Sequence, residues 1–294
     1  MNTSHPSPLQ PAGPIPRGMR RHAGSMWQAS FLVVLAAILI AGIVGPWLIP
    51  TDPYTQDLLA RLQAPAWAEG GSWDHVLGTD QLGRDILARL VYGVRVSAFI
   101  GLTVALLGGV IGTTLGVSAG YFGGWVDRVI SFLITARLAL PIILVALAVV
   151  AVFGASLTVI TLVLGLLLWE RYALVARTMA MGLREADFVT ASRLLGRSHL
   201  RIIVRDILPN LTGNLLIIAT VDAAMAITLE ASLSFLGLGV PPPMPSLGLM
   251  IAEGKENMLF LPSLVVIPSI VLFLLVLCIN RAGEVLRARQ AIKN

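Results

Sequence analysis

The stretch VSAFIGLTVALLGGVIGTTLGVSAG, residues 96–120, contains no charged side chain and decides the class of fold. An α-helix rises about 1.5 Å per residue, so about 20 such residues cross the roughly 30 Å hydrocarbon core of a bilayer. A soluble protein would have to bury every face of so long an apolar helix. The stretch is therefore predicted to be a membrane-spanning helix.

Five other segments share this length and apolarity. The six membrane-spanning helices are predicted at about residues 29–49, 96–120, 128–153, 155–175, 211–234 and 262–280. The first is interpreted as a retained anchor, because its roughly 20 apolar residues exceed the roughly 7–15 of a signal peptide. Gly154 predicts a tight hairpin between the third and fourth helices. The expected fold is an all-α, polytopic membrane bundle of six transmembrane helices.

The predicted helices divide the chain into three parts. Residues 1–25 carry five prolines and no periodicity, which indicates a disordered cytoplasmic tail. Residues 26–95 hold the first transmembrane helix and a long external segment. Residues 96–290 hold a core of five transmembrane helices.

The composition agrees with a membrane protein and excludes a soluble globule. Of the 294 residues, 56% are hydrophobic and 13% charged, whereas soluble domains are roughly 25% charged. The net charge of +5 could indicate nucleic acid binding, but only 6% of residues are aromatic, too few for base-stacking surfaces. Fifteen basic residues lie on one predicted side of the membrane and five on the other. This asymmetry predicts cytoplasmic N- and C-termini and needs no nucleic-acid partner.

A ladder of glycines runs down one face of the second predicted helix, at Gly108, Gly112, Gly116 and Gly120. Glycines four residues apart let another helix backbone approach closely in lipid. Packing within the chain's own bundle is the favoured interpretation, and contact with a different subunit is the alternative.

The external segment ends in an amphipathic pattern. Its apolar stripe has four-residue spacing, at Leu82, Ile86, Leu90 and Val94. This pattern predicts a helix that lies in the membrane interface or leads into the second span. The polar residues Asp80, Arg84 and Asp85 favour a solvated, self-pairing face, and contact with a partner is the alternative.

The predicted cytoplasmic segment 176–210 carries a short amphipathic helix at about residues 186–196. Its apolar stripe has helical spacing, at Phe188, Ala191, Leu194 and Leu195. Gly196 is placed to end this helix, and a second short helix, Leu200 to Ile207, is predicted to stop at Pro209, which also begins the next span. The first helix suits a groove on a soluble partner, or it folds back on its own bundle. Its spacing alone does not choose between the two.

At these residues the sequence resembles the permease subunits of ABC importers. Their signature is Glu-Ala-Ala, three residues, Gly, nine residues, a variable position, one more residue and Leu-Pro. That spacing is kept by Thr190-Ala191-Ser192, Gly196 and Leu208-Pro209. Thr190 replaces the glutamate, Ser192 replaces the second alanine, and Asp206 replaces an apolar residue or histidine.

Two other stretches narrow the resemblance to the C-type permeases of the dipeptide/oligopeptide/nickel group. They are LGTDQLGRDILARLVYG (77–93) and LSFLGLGVPPPMPSLGLMIAEG (233–254). The three motifs occur in the family's order, and the resemblance covers about residues 27–290. It implies the type I ABC importer permease fold in a bacterial cytoplasmic (inner) membrane.

The resemblance implies the pore subunit of an ATP-driven importer of di- or oligopeptides or related solutes. The implied partners are a homologous B-type permease in a heterodimer, two cytoplasmic ATPase subunits, an external substrate-binding protein and membrane lipid. The implied ATPase-coupling residues are Phe188, Thr190, Ala191, Ser192, Arg193, Leu195, Gly196, Leu208 and Pro209. The sequence lacks the phosphate-binding loop Gly-x4-Gly-Lys-Ser/Thr. We therefore expect no cofactor on this chain, and ATP and Mg on the partner ATPases.

Three ionisable residues fall within predicted spans, namely Arg137, Asp222 and Glu230. Charges at this depth usually face a polar pathway or one another. Asp222 and Glu230 are eight residues apart and so lie on about the same helix face. They are candidates for a substrate path that meets a cationic group or metal ion, or for pairing with Arg137 or another subunit.

Two other classes of function have weaker support. A secondary transporter would use the intramembrane acids as a relay, but the internal repeats typical of such folds are not found. A membrane enzyme is not indicated, because the four histidines are scattered and Cys278 is the only cysteine, so no catalytic pair or metal site emerges. Peptides, nickel chelates, glutathione-like compounds and oligosaccharides all stay open as cargo.

Overall fold

The chain forms a helical bundle. The computed structural model describes residues 17–49 and 51–291, with side chains for 30–49 and 51–288. Its α-helices are α1 Arg17–Leu48, α2 Ile86–Phe122, α3 Gly124–Leu138, α4 Ile142–Phe153, α5 Leu157–Leu167, α6 Glu170–Arg184, α7 Asp187–Leu194, α8 His199–Ile202, α9 Leu208–Phe235, α10 Leu247–Gly254 and α11 Ser263–Ala291. Among the described residues the one β-type pairing is a bridge between Thr79 and Asp85. The expected all-α class is confirmed.

The described residues offer five membrane crossings, and six when the bent pair α3 and α4 is counted as one span, in the order that the sequence predicts. Five are long apolar helices, Ser30–Leu48, Ile86–Phe122, Leu157–Arg184, His199–Phe235 and Ser263–Ala288. The third of these combines α5 with α6, and the fourth runs from α8 through α9. The sixth crossing is the pair α3 and α4 taken together.

The predicted helix 128–153 is wrong as a single element. α3 ends at Leu138, α4 begins at Ile142, and the two are bent by 85°. Pro141 stands at the break, where its ring removes a backbone N–H donor and obstructs the preceding turn. Gly154, at φ +85°, then turns the chain into α5, which packs against α4 as the predicted hairpin requires.

Two other predicted helix ends are displaced. The fourth helix does not stop near residue 175, because α6 continues to Arg184 with its alanine face buried against α2. The second short helix does not stop at Pro209 either. A π-type turn, Ile203–Ile207, joins α8 to α9 without a break, and Pro209 falls in the first turn of α9, where the next span begins as predicted.

The N-terminal tail is shorter than predicted. α1 begins at Arg17, directly after the last proline of the run, so residues 17–25 are helical instead of disordered. No residue between 17 and 25 is a proline that would stop the helix. Residues 1–16 of the predicted tail lie outside the described residues.

α2 is the central element of the bundle. It begins at Ile86 because the Asp85 side chain accepts a hydrogen bond from the Ala88 N–H, 2.8 Å away. The amphipathic segment therefore leads into the second span, one of the two predicted arrangements. α2 packs against α6 on one side and α9 on another, and its Ile100 and Val104 lie fully buried in a cluster with residues of α4, α5 and α9.

Candidate functional site

The short helix α7 projects between two membrane-spanning helices, within the range 186–196 that the sequence predicts. Its end is closed by two backbone hydrogen bonds, from Arg197 N–H to Ser192 O at 3.2 Å and from Gly196 N–H to Arg193 O at 2.9 Å. This is a Schellman closure, which needs a left-handed residue. Gly196 is this residue, with φ +72°. A Cβ added at Gly196 would meet no atom within 4 Å, so glycine is favoured here by its backbone conformation and not by lack of space.

α7 has one face on the bundle and one face free. Val189 is fully buried, in a cluster with Tyr121, Ile202 and Leu211, and Ser192 is buried beside it. The predicted apolar stripe points the other way, with Leu194 84% and Leu195 77% exposed in this chain. The other implied ATPase-coupling residues that are exposed on or directly after α7 are Phe188, Thr190, Ala191, Arg193 and Gly196. Both predicted arrangements are thus partly present: the helix is seated on its own bundle, and its apolar stripe is uncovered.

Two of the three departures from the family signature, Ser192 and Asp206, meet around a single arginine. Nη1 of Arg197 lies 3.4 Å from Oγ of Ser192 and 3.5 Å from Oδ1 of Asp206. Because Asp206 lies in the turn that leads into α9, this contact links α7 to the next membrane-spanning helix. Leu208 and Pro209 follow at the start of α9, half-buried and exposed respectively.

An open cleft of about 650 Å³ lies beside α7. Its floor is aromatic, with the Tyr121 hydroxyl 2.9 Å from Nδ1 of His199 and the Arg193 guanidinium 5.1 Å from the Tyr121 ring centre. Arg184, Glu185, Phe122 and Thr190 complete its wall. This cleft was not predicted, because its residues come from α2, α6, α7 and α8, and the one local signal in the sequence is the adjacent pair Tyr121 and Phe122.

The glycine ladder packs inside the chain's own bundle, as favoured. A methyl group added at Gly108 would lie 2.8 Å from the carbonyl oxygen of Leu168. Gly112, Gly116 and Gly120 face in turn the backbone of Trp169, Ala173 and Arg177, which lie in α6 or directly before it. Four glycines therefore let α2 and α6 approach backbone to backbone.

The intramembrane ionisable residues are separated from one another. Arg137 donates from Nε to Leu167 O at 2.9 Å and from Nη1 to Leu140 O at 3.2 Å, so it pairs with neither predicted acid. Glu230 is fully buried and accepts hydrogen bonds from Ser234 and Ser246. Asp222, also fully buried, contacts Nη1 of Arg171 at 3.3 Å. Their place on a substrate path stays a prediction, and Asp222 and Glu230 have no exposed surface in this chain.

A buried ionic cluster at the opposite end of the bundle was only partly predicted. Asp80 pairs with Arg84 at 2.7 Å and with Arg89, and Glu253 of α10 lies 3.1 Å from Arg84 and 2.7 Å from Arg89. The Arg89–Glu253 contact is a close charge contact without hydrogen-bond alignment. The arginines are 3% and 2% exposed, so the predicted self-pairing is confirmed and the predicted solvation is wrong. Glu253 lies 169 residues from Arg84 in the sequence, so no local pattern predicts that it joins this cluster.

Sequence comparisons place this chain among known transport proteins. The sequence profile of the "binding-protein-dependent transport system inner membrane component" family matches residues 112–292. The profile described as the "N-terminal TM domain of oligopeptide transport permease C" matches residues 29–65.

Individual relatives are similar over nearly the whole chain. The dipeptide transport system permease protein DppC of Haemophilus influenzae is 38% identical, covering 91% of this chain and 90% of its own. The glutathione transport system permease protein GsiD of Pectobacterium atrosepticum is 36% identical, covering 92% and 87%. The oligopeptide permease OppC of Mycobacterium bovis is 37% identical, covering 86% and 87%.

A solved structure shares the fold. An inward-facing structure of the MetNI methionine ABC transporter aligns with 68% of this chain and 95% of its own, at a TM-score of 0.55 and 20% identity. At this identity the likeness concerns the arrangement of helices alone, and it agrees with the expected type I importer permease fold.

Proposed function

The chain belongs to the family of binding-protein-dependent transport system inner membrane components, and from that premise we propose how its parts work in an importer. It is a multi-pass permease subunit of an ABC importer and not itself an enzyme. We propose that it forms half of the pore together with a homologous B-type permease. Two cytoplasmic ATPase subunits, carrying ATP and Mg, bind the end of the bundle that holds α7. An external binding protein delivers cargo to the opposite end.

The uncovered stripe of α7 is the observation that supports this arrangement. Leu194 and Leu195 present large apolar side chains to the surface at an end of the bundle that the basic residues predict to be cytoplasmic. Apolar side chains in this setting are stabilised when a soluble partner covers them. Because Val189 seats the other face of α7 on the bundle, a push on this helix is transmitted to α2 and α9.

The proposed cargo is a di- or oligopeptide. The relatives are named for dipeptide, oligopeptide and glutathione transport, and these cargos share peptide bonds and free carboxylates. The alternative of a secondary transporter is not favoured, since the two acids that would form its relay are buried and held by side chains of this chain.

Reconstitution tests the proposal. The chain is purified with its B-type partner and the ATPase subunits, placed in liposomes, and supplied with binding protein and radiolabelled dipeptide. We expect uptake that needs both ATP and binding protein. Uptake that persists without ATP and follows an imposed ion gradient would instead support the secondary transporter.

A further inference from the structure

Arg171 presents a charge to the surface within a membrane-spanning segment. It is the second residue of α6 and lies near the midpoint of the crossing Leu157–Arg184. Its side chain is 44% exposed in this chain. Among the described residues its one hydrogen-bond or ion-pair partner is Asp222, through a single 3.3 Å contact at Nη1.

Arg137 shows what a structural arginine looks like in the same bundle. Its side chain is 10% exposed, and its Nε and Nη1 donate to two backbone carbonyl groups. Its Nη2 lies 4.0 Å from Glu170. The donor groups of Arg137 are thus used within the chain, whereas Nε and Nη2 of Arg171 are free of described partners.

The surroundings of Arg171 favour a polar pathway over lipid. A half-exposed guanidinium at this depth is unfavourable against hydrocarbon, so it faces water or another protein. Thr178, seven residues further along α6 and on the same face, is also exposed. The seam between α6 and α9 is marked by two contacts, Arg171 with Asp222 and Met179 with the exposed Asn214, whose amide lies 3.1 Å from the Met179 sulfur. The seam therefore carries polar groups at two levels.

Asp222 contacts one nitrogen of the Arg171 guanidinium and leaves its other N–H groups available. The aspartate is fully buried, and its second oxygen, Oδ2, has no hydrogen-bond partner. A monodentate contact of 3.3 Å leaves the flat edge of the guanidinium, with its parallel N–H groups, available to a second carboxylate. A site in a conducting path needs such moderate binding, strong enough to admit a solute and weak enough to release it.

We propose that Arg171 is the cation of the translocation path and receives the free carboxylate of the passing solute. This inference rests on the proposed function and specifies the chemistry of its cargo. It also reverses the sign that the sequence predicts for the path. The acids Asp222 and Glu230 are buried, and the charge left open to a solute is positive, so the path selects an anionic group on the cargo.

The test compares a dipeptide with its C-terminal amide in the reconstituted importer. Uptake of each is expressed per cargo-loaded binding protein, which removes the binding protein's own preference. Wild type should favour the free acid. Arg171→Gln should lower the acid/amide uptake ratio at least about tenfold, because a charge-assisted hydrogen bond is lost for the acid alone. Arg128→Gln, which removes an exposed arginine in the first half of α3, should leave the acid/amide ratio at the wild-type value.

Asp222→Asn separates this role from a structural one. It frees the guanidinium, so the acid/amide ratio should stay at or above the wild-type value, opposite to Arg171→Gln. An unchanged ratio in Arg171→Gln, or a parallel fall of the ratio in both variants, would overturn the inference. Loss of the partner permease from purified Arg171→Gln would also overturn it, by assigning the arginine to the subunit interface. ATP-dependent uptake by wild type supports the proposed function in each of these cases, and its absence would refute that function separately.

Discussion

The guanidinium of Arg197 lies 3.5 Å from the carboxylate of Asp206 and so joins the end of α7 to the start of the next membrane-spanning helix. Arg197 also reaches Ser192 of α7. Two of the three signature departures, Ser192 and Asp206, therefore contact the same arginine, and these contacts are absent where both positions are apolar. We interpret it as a brace that keeps α7 and α9 moving together.

Reversal of this ion pair tests the brace. Arg197 is 41% and Asp206 15% exposed, so the pair should contribute only about 0.2–1 kcal/mol to stability. Arg197→Asp and Asp206→Arg should each reduce the ATPase activity stimulated by loaded binding protein, because the linkage is lost. The double reversal should restore it. A double variant no better than the worse single one would show that the pair does not link the helices.

Gly196 should be needed for its backbone conformation. Gly196→Ala places a Cβ at φ +72°, which costs about 1–2 kcal/mol and loosens the end of α7. We expect weaker association with the ATPase subunits, measured by co-purification. Gly182→Ala is the matched control, since Gly182 also has open space around it but lies in ordinary helical conformation in α6, where alanine is favoured. Equal behaviour of the two variants would contradict this account of the Schellman closure.

The glycine ladder should be needed for space instead. In Gly116→Ala the new methyl group would lie 2.8 Å from Cα of Ala173, so α2 and α6 must separate. We expect a loss of about 1–3 kcal/mol, seen as a lower thermal midpoint in detergent. Gly109→Ala lies off the ladder, where the nearest atom is the Tyr172 ring edge at 3.3 Å, and should cost much less. A similar loss at both glycines would argue against close backbone packing.

The buried ionic cluster should dominate stability at the other end of the bundle. Asp80→Asn leaves Arg84 and Arg89 with one carboxylate between them, and breaking such a buried pair costs about 3–5 kcal/mol. The thermal midpoint should fall strongly. Asp74→Asn removes an exposed carboxylate of the same segment, hydrogen-bonded only to Ser72, and should have little effect. If the two variants melt alike, the cluster is not a stabilising unit.

Local signals predicted most of the fold. The apolar runs located the crossings, and the spacing of Phe188, Ala191 and Leu194 with Gly196 located α7. The break at Pro141 could have been predicted from the proline itself, but an apolar run on both sides of it concealed the two helices.

Ion pairs between residues far apart in the chain could not be predicted from the sequence. Arg171 meets Asp222 across 51 residues, and Arg84 meets Glu253 across 169. Hydropathy and periodicity report the environment of each residue and not its partner, so pairing of Asp222 or Glu230 with Arg137 is one of the alternatives that the sequence leaves open, and the structure gives Arg137 other partners. The sign of the charge exposed at the seam could not be predicted, because it depends on Asp222 being buried and Arg171 being exposed.

Site-directed crosslinking tests the central claim, that α7 is the segment to which the ATPase subunit binds. Cys278, the single native cysteine, is fully buried, so Leu194→Cys introduces an accessible thiol at a position that is 84% exposed in the isolated chain. In the assembled importer, a short thiol-to-amine crosslinker should join this residue to an ATPase subunit, with a yield that changes on ATP binding. Leu59→Cys, 99% exposed before α2, should give no such product. An intact, ATP-hydrolysing importer in which Leu194→Cys forms no crosslink to the ATPase would contradict the account.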